Sequence, residues 1–205
     1  MTQGVERVGV GIPPWLPNAL TILRLVLVPV FLVLLFAHPL DFGWRLAATV
    51  AFGVAILTDL LDGKLARRYN LVSDFGKIWD PIADKALTGA AFISLSILGE
   101  LWWWVTILIL VREWGITWMR VAMLKYGVMA AAAGGKLKTL LQAIALLMFL
   151  PYPIQLTVQA APFWGWLAWL VMGAAFVLTV VTGLMYVRDA LRLRAESLRT
   201  GSGPA

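Results

Sequence analysis

Two pairs of aspartates, Asp59 with Asp62 and Asp80 with Asp84, flank a short polar connection in an otherwise apolar chain. A residue of an α-helix turns about 100° around the axis, so Asp59 and Asp62 lie about 60° apart, and Asp80 and Asp84 about 40° apart. Each pair therefore shares one helical face. Since the two helices would be antiparallel neighbours, both pairs lie at a similar depth and can face each other.

Four carboxylates at one place in a membrane repel one another, and each ionised group costs at least ~2.5 kcal/mol inside a span. A bound divalent cation relieves both effects. An all-oxygen set without Cys or His favours a hard ion, namely Mg²⁺ with Mn²⁺ as a substitute. Two such ions would match a two-metal phosphoryl-transfer centre. Structural end caps and an ion-coupled transporter are the alternative interpretations of these acids.

The composition predicts an integral membrane protein. Of 205 residues, 61% are hydrophobic and 14% are charged, against about 45–50% and 25% in ordinary globular domains. The sequence has no cysteine, which excludes disulfides and thiolate ligands. No cleavable signal peptide is expected. Although the net charge is +6, no nucleic-acid partner is expected, because the charges follow the membrane topology.

Apolar stretches of about 20 residues between breakers predict an all-α, polytopic membrane protein with six transmembrane helices. The predicted helices span 17–37, 44–69, 75–99, 102–125, 136–151 and 162–190. Lys and Arg concentrate at both termini and around the connections after the second and fourth helices, while the opposite side has only Arg45. By the positive-inside rule, both termini are cytoplasmic.

We predict one domain, residues 17–194, preceded by an N-terminal interfacial arm at 1–16 and followed by a flexible tail at 195–205. Glycines and prolines within 1–16 leave an interfacial helix and an irregular arm equally open. The only histidine, His38, falls in an outer loop and is predicted to be non-catalytic.

The segment from Asp59 to Asp84 reads D-L-L-D-G-K-L-A-R, eight further residues, then G-K-I-W-D-P-I-A-D. It matches every defined position of D-x-x-D-G-x-x-A-R-(x8)-G-x-x-x-D-x-x-x-D. The chain thus resembles the CDP-alcohol phosphatidyltransferases, membrane enzymes that transfer a phosphatidyl group from a CDP-lipid to an alcohol. The predicted six-span layout extends this resemblance to nearly the whole chain.

The resemblance implies roles for the signature residues. Asp59, Asp62, Asp80 and Asp84 would hold two metal ions, usually Mg²⁺, and Asp84 would also act as general base. Gly63, Ala66, Arg67 and Gly76 would contact the CDP-lipid, with Gly63 and Ala66 leaving room for cytidine and Arg67 contacting donor phosphates. A homodimer in a bacterial inner or plasma membrane, with its active site facing the cytoplasm, is also implied.

Basic residues outside the signature bear on the acceptor. Arginine inside an apolar helix is costly without an anionic partner, and a substrate phosphate is one such partner. The candidates for binding the acceptor phosphate are Arg112, Arg120, Lys136 and Lys138. An ion pair with Glu113 is the alternative for Arg112, and snorkelling to the interface is the alternative for Lys138.

Three short segments resemble the branch of this family that forms phosphatidylglycerophosphate: P17-N-A-L-T-I-L-R24, R112-E113 and G135-K-L-K-T139. Candidate substrate contacts in them are Asn18, Thr21, Arg24 and Thr139. The expected reaction is transfer from CDP-diacylglycerol to sn-glycerol 3-phosphate, with release of CMP. Inositol phosphate, serine and phosphatidylglycerol remain alternative acceptors.

Overall fold

The computed structural model describes residues 15–69, 74–123 and 135–199, which form seven α-helices and no strand. The all-α prediction is confirmed for these residues. Residues 1–14 of the predicted arm and residues 200–205 of the predicted tail lie outside them. The helices are α1 (Leu16–Ala37), α2 (Phe42–Tyr69), α3 (Asp74–Ile97), α4 (Trp103–Met123), α5 (Gly135–Phe149), α6 (Ile154–Ala160) and α7 (Pro162–Arg199).

The observed helices follow the predicted ones closely, with two differences. A short helix, α6, occupies the connection after Pro153, where the sequence predicted only a break. It packs tightly on α7 at Gly165, where a Cβ would lie only 2.7 Å from the Cα of Val158. Glycine is therefore the residue that permits this contact. In addition, α7 continues to Arg199, past residue 194 at which the predicted domain ends. Its 38 residues would extend about 57 Å at 1.5 Å per residue.

Three of the described helices are long and apolar enough to cross a membrane, through the segments Asn18–Ala37, Phe42–Leu60 and Pro162–Glu196. Helices α5 and α6 meet at a bend of 73° and would add a fourth span if they count as one. Six spans are therefore not confirmed. The physical reason is charge: α3 carries Asp84 and Lys85, and α4 carries Arg112, Glu113 and Arg120 within its length.

The helices bury an apolar core and leave an apolar exterior. Phe31 and Phe52 join α1 to α2 with ring centroids 5.6 Å apart, and Phe92 and Phe149 add buried rings from α3 and α5. Many large apolar side chains of α1, α2, α4 and α7 face outward, including Val33 at 66% exposure. Such an exterior suits a lipid environment rather than water.

A buried ion pair locks the end of the bundle where α2 begins. Arg45 is fully buried and contacts both carboxylate oxygens of Glu100, with Nη2 2.9 Å from Oε2. Its Nε and Nη2 also donate to the carbonyls of Leu150 and Phe149 at 2.8 and 3.2 Å. Gly99 closes α3 in the left-handed region, at φ +71°, immediately before Glu100. The hydrogen bonds of Arg45 therefore join α2, the end of α5 and the α3–α4 turn.

Candidate active site

Arg24 of α1 lies against the first aspartate of the signature. Its side chain is fully buried, and Nη1 is 2.8 Å from Oδ1 of Asp59 on α2, whose side chain is 39% exposed. A buried guanidinium requires a counter-charge, and Asp59 supplies it. The sequence predicted Arg24 as a candidate substrate contact, whereas the structure places it beside a candidate metal ligand.

Asp84 of α3 lies within electrostatic range of this pair. Its carboxylate is half-buried and interacts electrostatically with Asp59 and Arg24, and also with Glu113 of α4. Asp59 of α2 and Asp84 of α3, one acid from each pair, are thus within electrostatic range of each other. Asp84 is the residue that links the α1–α2 side of the site to α4.

The remaining signature side chains lie outside the described part of the structure. The backbone is helical through residues 59–69 and 74–84, so the spacing of Asp59 with Asp62 and of Asp80 with Asp84 does fall on helices. The side chains that are not described belong to Asp62, Ala66, Arg67 and Asp80, and the surroundings of Gly63 and Gly76 are not described either.

Among the described side chains, no group of three or more metal-ligating residues occurs. Asp59 and Asp84 are nevertheless close enough to interact, and carboxylate oxygens are the donors that Mg²⁺ prefers. The donor chemistry therefore fits a magnesium site, while the ligand set stays a prediction.

Glu113 joins two of the four candidate acceptor-binding cations. Its Oε1 accepts a hydrogen bond from Nζ of Lys138 on α5 and lies 3.1 Å from Nη1 of Arg112. Lys138 is buried, although it is a lysine near the start of its helix. Arg112, Glu113 and Lys138, with Thr182 described next, are called the Glu113 network below.

Helix α7 completes the Glu113 network. Nη2 of Arg112 donates to Oγ1 of Thr182 at 2.8 Å, and the guanidinium carbon lies 5.8 Å from the centre of the Tyr186 ring. The guanidinium thus has hydrogen bonds to Glu113 of its own helix and to Thr182 of α7, which leave it few orientations. Arg112 is therefore fixed by α4 and α7 together.

The other candidate residues are placed differently. Arg120 and Lys136 are exposed, and no contact of theirs with the Glu113 network is seen among the described residues. Thr139 is exposed and donates to the carbonyl of Gly135 in its own helix at 3.2 Å. Thr21 is buried and Asn18 half-buried on α1, within two turns of Arg24.

The acidic side and the Glu113 network are neighbours, since Asp84 lies within electrostatic range of both Glu113 and Lys138. Glu113 was predicted only as an alternative partner for Arg112, and Thr182 was not predicted at all. The signal for Glu113 was its place beside Arg112 within an apolar helix. Thr182 gave no signal, since threonine is common in membrane helices.

The sequence model of the CDP-alcohol phosphatidyltransferases matches residues 14–183 of the chain. The protein belongs to the CDP-alcohol phosphatidyltransferase family. The match includes the signature segment, the Arg112–Glu113 pair and Lys138, and it ends one residue after Thr182.

Curated members of the family are similar over most of the chain. A protein of Mycobacterium tuberculosis named probable phosphatidylglycerophosphate synthase is 50% identical over 181 residues, which cover 86% of this chain and 82% of the relative. A Bacillus subtilis protein named CDP-diacylglycerol–glycerol-3-phosphate 3-phosphatidyltransferase is 37% identical, over 83% of this chain and 92% of its own length. A Pseudomonas fluorescens protein of the same name is 33% identical, over 85% and 89%.

Proposed function

We propose that this phosphatidyltransferase transfers the phosphatidyl group of CDP-diacylglycerol to sn-glycerol 3-phosphate, forming phosphatidylglycerophosphate and CMP. The observation that carries the proposal is that Asp84 lies within electrostatic range of both Asp59 and the Glu113 network. Acidic residues suited to a metal-bound pyrophosphate thus adjoin cations suited to a phosphorylated alcohol. The names of the Mycobacterium tuberculosis and Bacillus subtilis relatives support the same acceptor.

In this proposal Asp84 accepts the proton of the primary hydroxyl of glycerol 3-phosphate. The hydroxyl oxygen forms a bond to the phosphorus that carries diacylglycerol, and the bond between that phosphorus and the CMP oxygen breaks. A positioned general base typically adds ~10²–10⁴-fold in rate. No covalent enzyme intermediate is needed, because the acceptor attacks the donor directly.

Asp59, Asp62, Asp80 and Asp84 would hold Mg²⁺, with two ions expected and Mn²⁺ as a substitute. Bound there, the metal would neutralise charge on the pyrophosphate of the donor. Arg24 would keep its contact with Asp59, so that the carboxylate remains oriented at the boundary of α1 and α2. Gly63, Ala66, Arg67 and Gly76 would line the donor side.

The acceptor phosphate would bind beside Arg112 and Lys138. These two cations share a single carboxylate, that of Glu113, so the three side chains together carry a net positive charge. A phosphate group would balance the positive charge that the single Glu113 carboxylate leaves, and charge-assisted hydrogen bonds to phosphate are strong. A neutral acceptor such as serine would have less use for this charge.

We further propose that the chain crosses the inner membrane six times, with both termini in the cytoplasm. Helices α3 and α4 would cross with their charged side chains toward the site, since intramembrane charges face the bundle interior. CDP-diacylglycerol would enter laterally from the cytoplasmic leaflet, and glycerol 3-phosphate from the cytosol. A homodimer is the proposed assembly.

Parallel assays with four acceptors test the reaction. Purified enzyme in mixed micelles would receive CDP-diacylglycerol with glycerol 3-phosphate, inositol phosphate, serine or phosphatidylglycerol, and CMP release would be measured. We expect release with glycerol 3-phosphate alone. Preference for another acceptor would overturn the glycerol phosphate assignment, and the absence of CMP with every acceptor would contradict the proposed reaction.

A further inference from the structure

Helix α7 contacts Arg112 through a glycine as well as through Thr182 and Tyr186. These three residues, at 182, 183 and 186, lie within about 100° of one another around the helix axis. The side is turned toward α4, since Thr182 and Tyr186 both contact the guanidinium. Three uncharged residues of α7 therefore lie against the Arg112 side chain.

Gly183 leaves room for the aliphatic part of the Arg112 side chain. A Cβ added at Gly183 would lie 3.0 Å from Cγ and 3.3 Å from Nε of Arg112. Both distances are shorter than ordinary van der Waals contact. The guanidinium cannot swing aside freely, because it is bound to Glu113 at one nitrogen and to Thr182 at another. A methyl group at position 183 therefore requires the Arg112 side chain to shift by a few tenths of an ångström.

Thr182 orients the guanidinium. Its hydroxyl donates to the carbonyl of Leu178 at 2.7 Å, within its own helix. This bond leaves the lone pairs of Oγ1 for Nη2 of Arg112, which donates to it at 2.8 Å. The hydroxyl therefore acts as a fixed acceptor for one end of the arginine.

We propose that Gly183 and Thr182 are positioning residues that hold Arg112 in the orientation that binds the acceptor phosphate, and so set the affinity for that substrate. The inference rests on the proposed function, in which Arg112 binds the phosphate of glycerol 3-phosphate. It assigns part of the acceptor specificity to α7, a helix that contributes none of the predicted substrate ligands.

Gly183→Ala and Gly173→Ala form a matched pair that tests this role. Both glycines lie within α7, both substitutions gain the same helix propensity, and a Cβ at Gly173 would meet nothing within 4 Å. We expect Gly183→Ala to raise the KM for glycerol 3-phosphate by about tenfold, the scale of one charged hydrogen bond. The KM for CDP-diacylglycerol should stay unchanged, and Gly173→Ala should match the wild type for both substrates.

A second pair of variants removes the hydroxyl without adding bulk. Thr182→Val should raise the KM for glycerol 3-phosphate in the same way. Thr182→Ser, which keeps the hydroxyl, should leave this KM near the wild-type value. If Gly183→Ala does not yield folded protein, the two Thr182 variants alone test whether α7 positions Arg112. Combining Gly183→Ala with Arg112→Ala should give no further loss beyond Arg112→Ala alone, because the glycine acts through the arginine.

A general loosening of the bundle would raise both KM values and lower the Tm of the variants, and that pattern would overturn the positioning role. Equal kinetics for Gly183→Ala and Gly173→Ala, with Thr182→Val also unchanged, would overturn it as well. Failure of the proposed function is seen separately, as a wild-type enzyme that releases no CMP in response to glycerol 3-phosphate.

Discussion

Nη1 of Arg24 lies 2.8 Å from Oδ1 of Asp59, which joins the buried face of α1 to the first carboxylate of the family signature. The arginine is fully buried and the aspartate is 39% exposed. Asp59 therefore serves two purposes in our interpretation, as a candidate metal ligand and as the counter-charge of a buried cation.

Removing the carboxylate charge of Asp59 should reduce stability as well as activity. Asp59→Asn removes the carboxylate charge that lies 2.8 Å from the buried guanidinium of Arg24, and hydrogen bonds to charged groups contribute roughly 1.5–3 kcal/mol. We expect a lower Tm for Asp59→Asn in detergent, measured by tryptophan fluorescence. The double variant Arg24→Met/Asp59→Asn should regain part of that loss while remaining inactive. A double variant whose losses are the sum of the single ones would show that the two residues are not coupled.

Activity should require a divalent cation held by the aspartates. Chelation should abolish CMP release, and Mg²⁺ or Mn²⁺ should restore it. Asp80→Asn and Asp84→Asn should each be nearly inactive at every metal concentration. Asp41→Asn is the matched control, because Asp41 is exposed and caps the start of α2 by accepting from the Trp44 amide at 3.0 Å. Full activity after exhaustive chelation would contradict the metal proposal.

The acceptor site should respond to loss of its cations. Arg112→Ala and Lys138→Ala should raise the KM for glycerol 3-phosphate by about one to two orders of magnitude, from roughly 1.5–3 kcal/mol per charged hydrogen bond. Lys136→Ala should have a smaller effect, since Lys136 is exposed while Lys138 contacts Glu113.

The KM for CDP-diacylglycerol should change little in these variants, whereas Arg67→Ala should affect the donor more than the acceptor. Separate saturation of each substrate in mixed micelles provides the constants. Arg192→Ala, which removes an exposed cation from α7, controls for the loss of positive charge. Equal losses for both substrates in every variant would argue against two separate phosphate sites.

The Arg45–Glu100 pair should matter for stability and not for substrate affinity. Glu100→Gln leaves Arg45 as a buried cation without a counter-charge, a change that costs about 3–5 kcal/mol when a buried pair is broken. We expect a lower Tm with unchanged KM values for both substrates at low temperature. A shift of the acceptor KM would mean that this end of the bundle communicates with the site.

Cysteine labelling tests the proposed topology, and the chain has no background thiols. Ser73→Cys, in the connection after α2, should be protected from an impermeant thiol reagent on intact cells. Asp41→Cys, in the turn between α1 and α2, should react. Labelling at position 73 but not at position 41 would reverse the orientation.

Much of the fold follows from local properties of the sequence. Apolar stretches between glycine and proline breakers placed α2 and α3 within a few residues of their observed bounds. The i, i+3 and i, i+4 spacing of the aspartates required only that these segments be helical. The number of membrane spans does not follow in the same way, because α3 and α4 combine apolar faces with charges, and length and composition do not decide whether such helices cross.

Apart from the Arg112–Glu113 pair, which the sequence offered as an alternative, the partners of the charged residues came only from the tertiary structure. Arg45 and Glu100 are separated by 55 positions, and Arg112 and Thr182 by 70, so nothing local relates them. Lys136 and Lys138 show why: two residues apart on a helix, they point about 160° away from each other. Only one can face α4, and the packing of α5 against α7 turns Lys138 inward to Glu113 and leaves Lys136 exposed. The sequence alone determines that the two lysines diverge, while the choice between them depends on how whole helices pack.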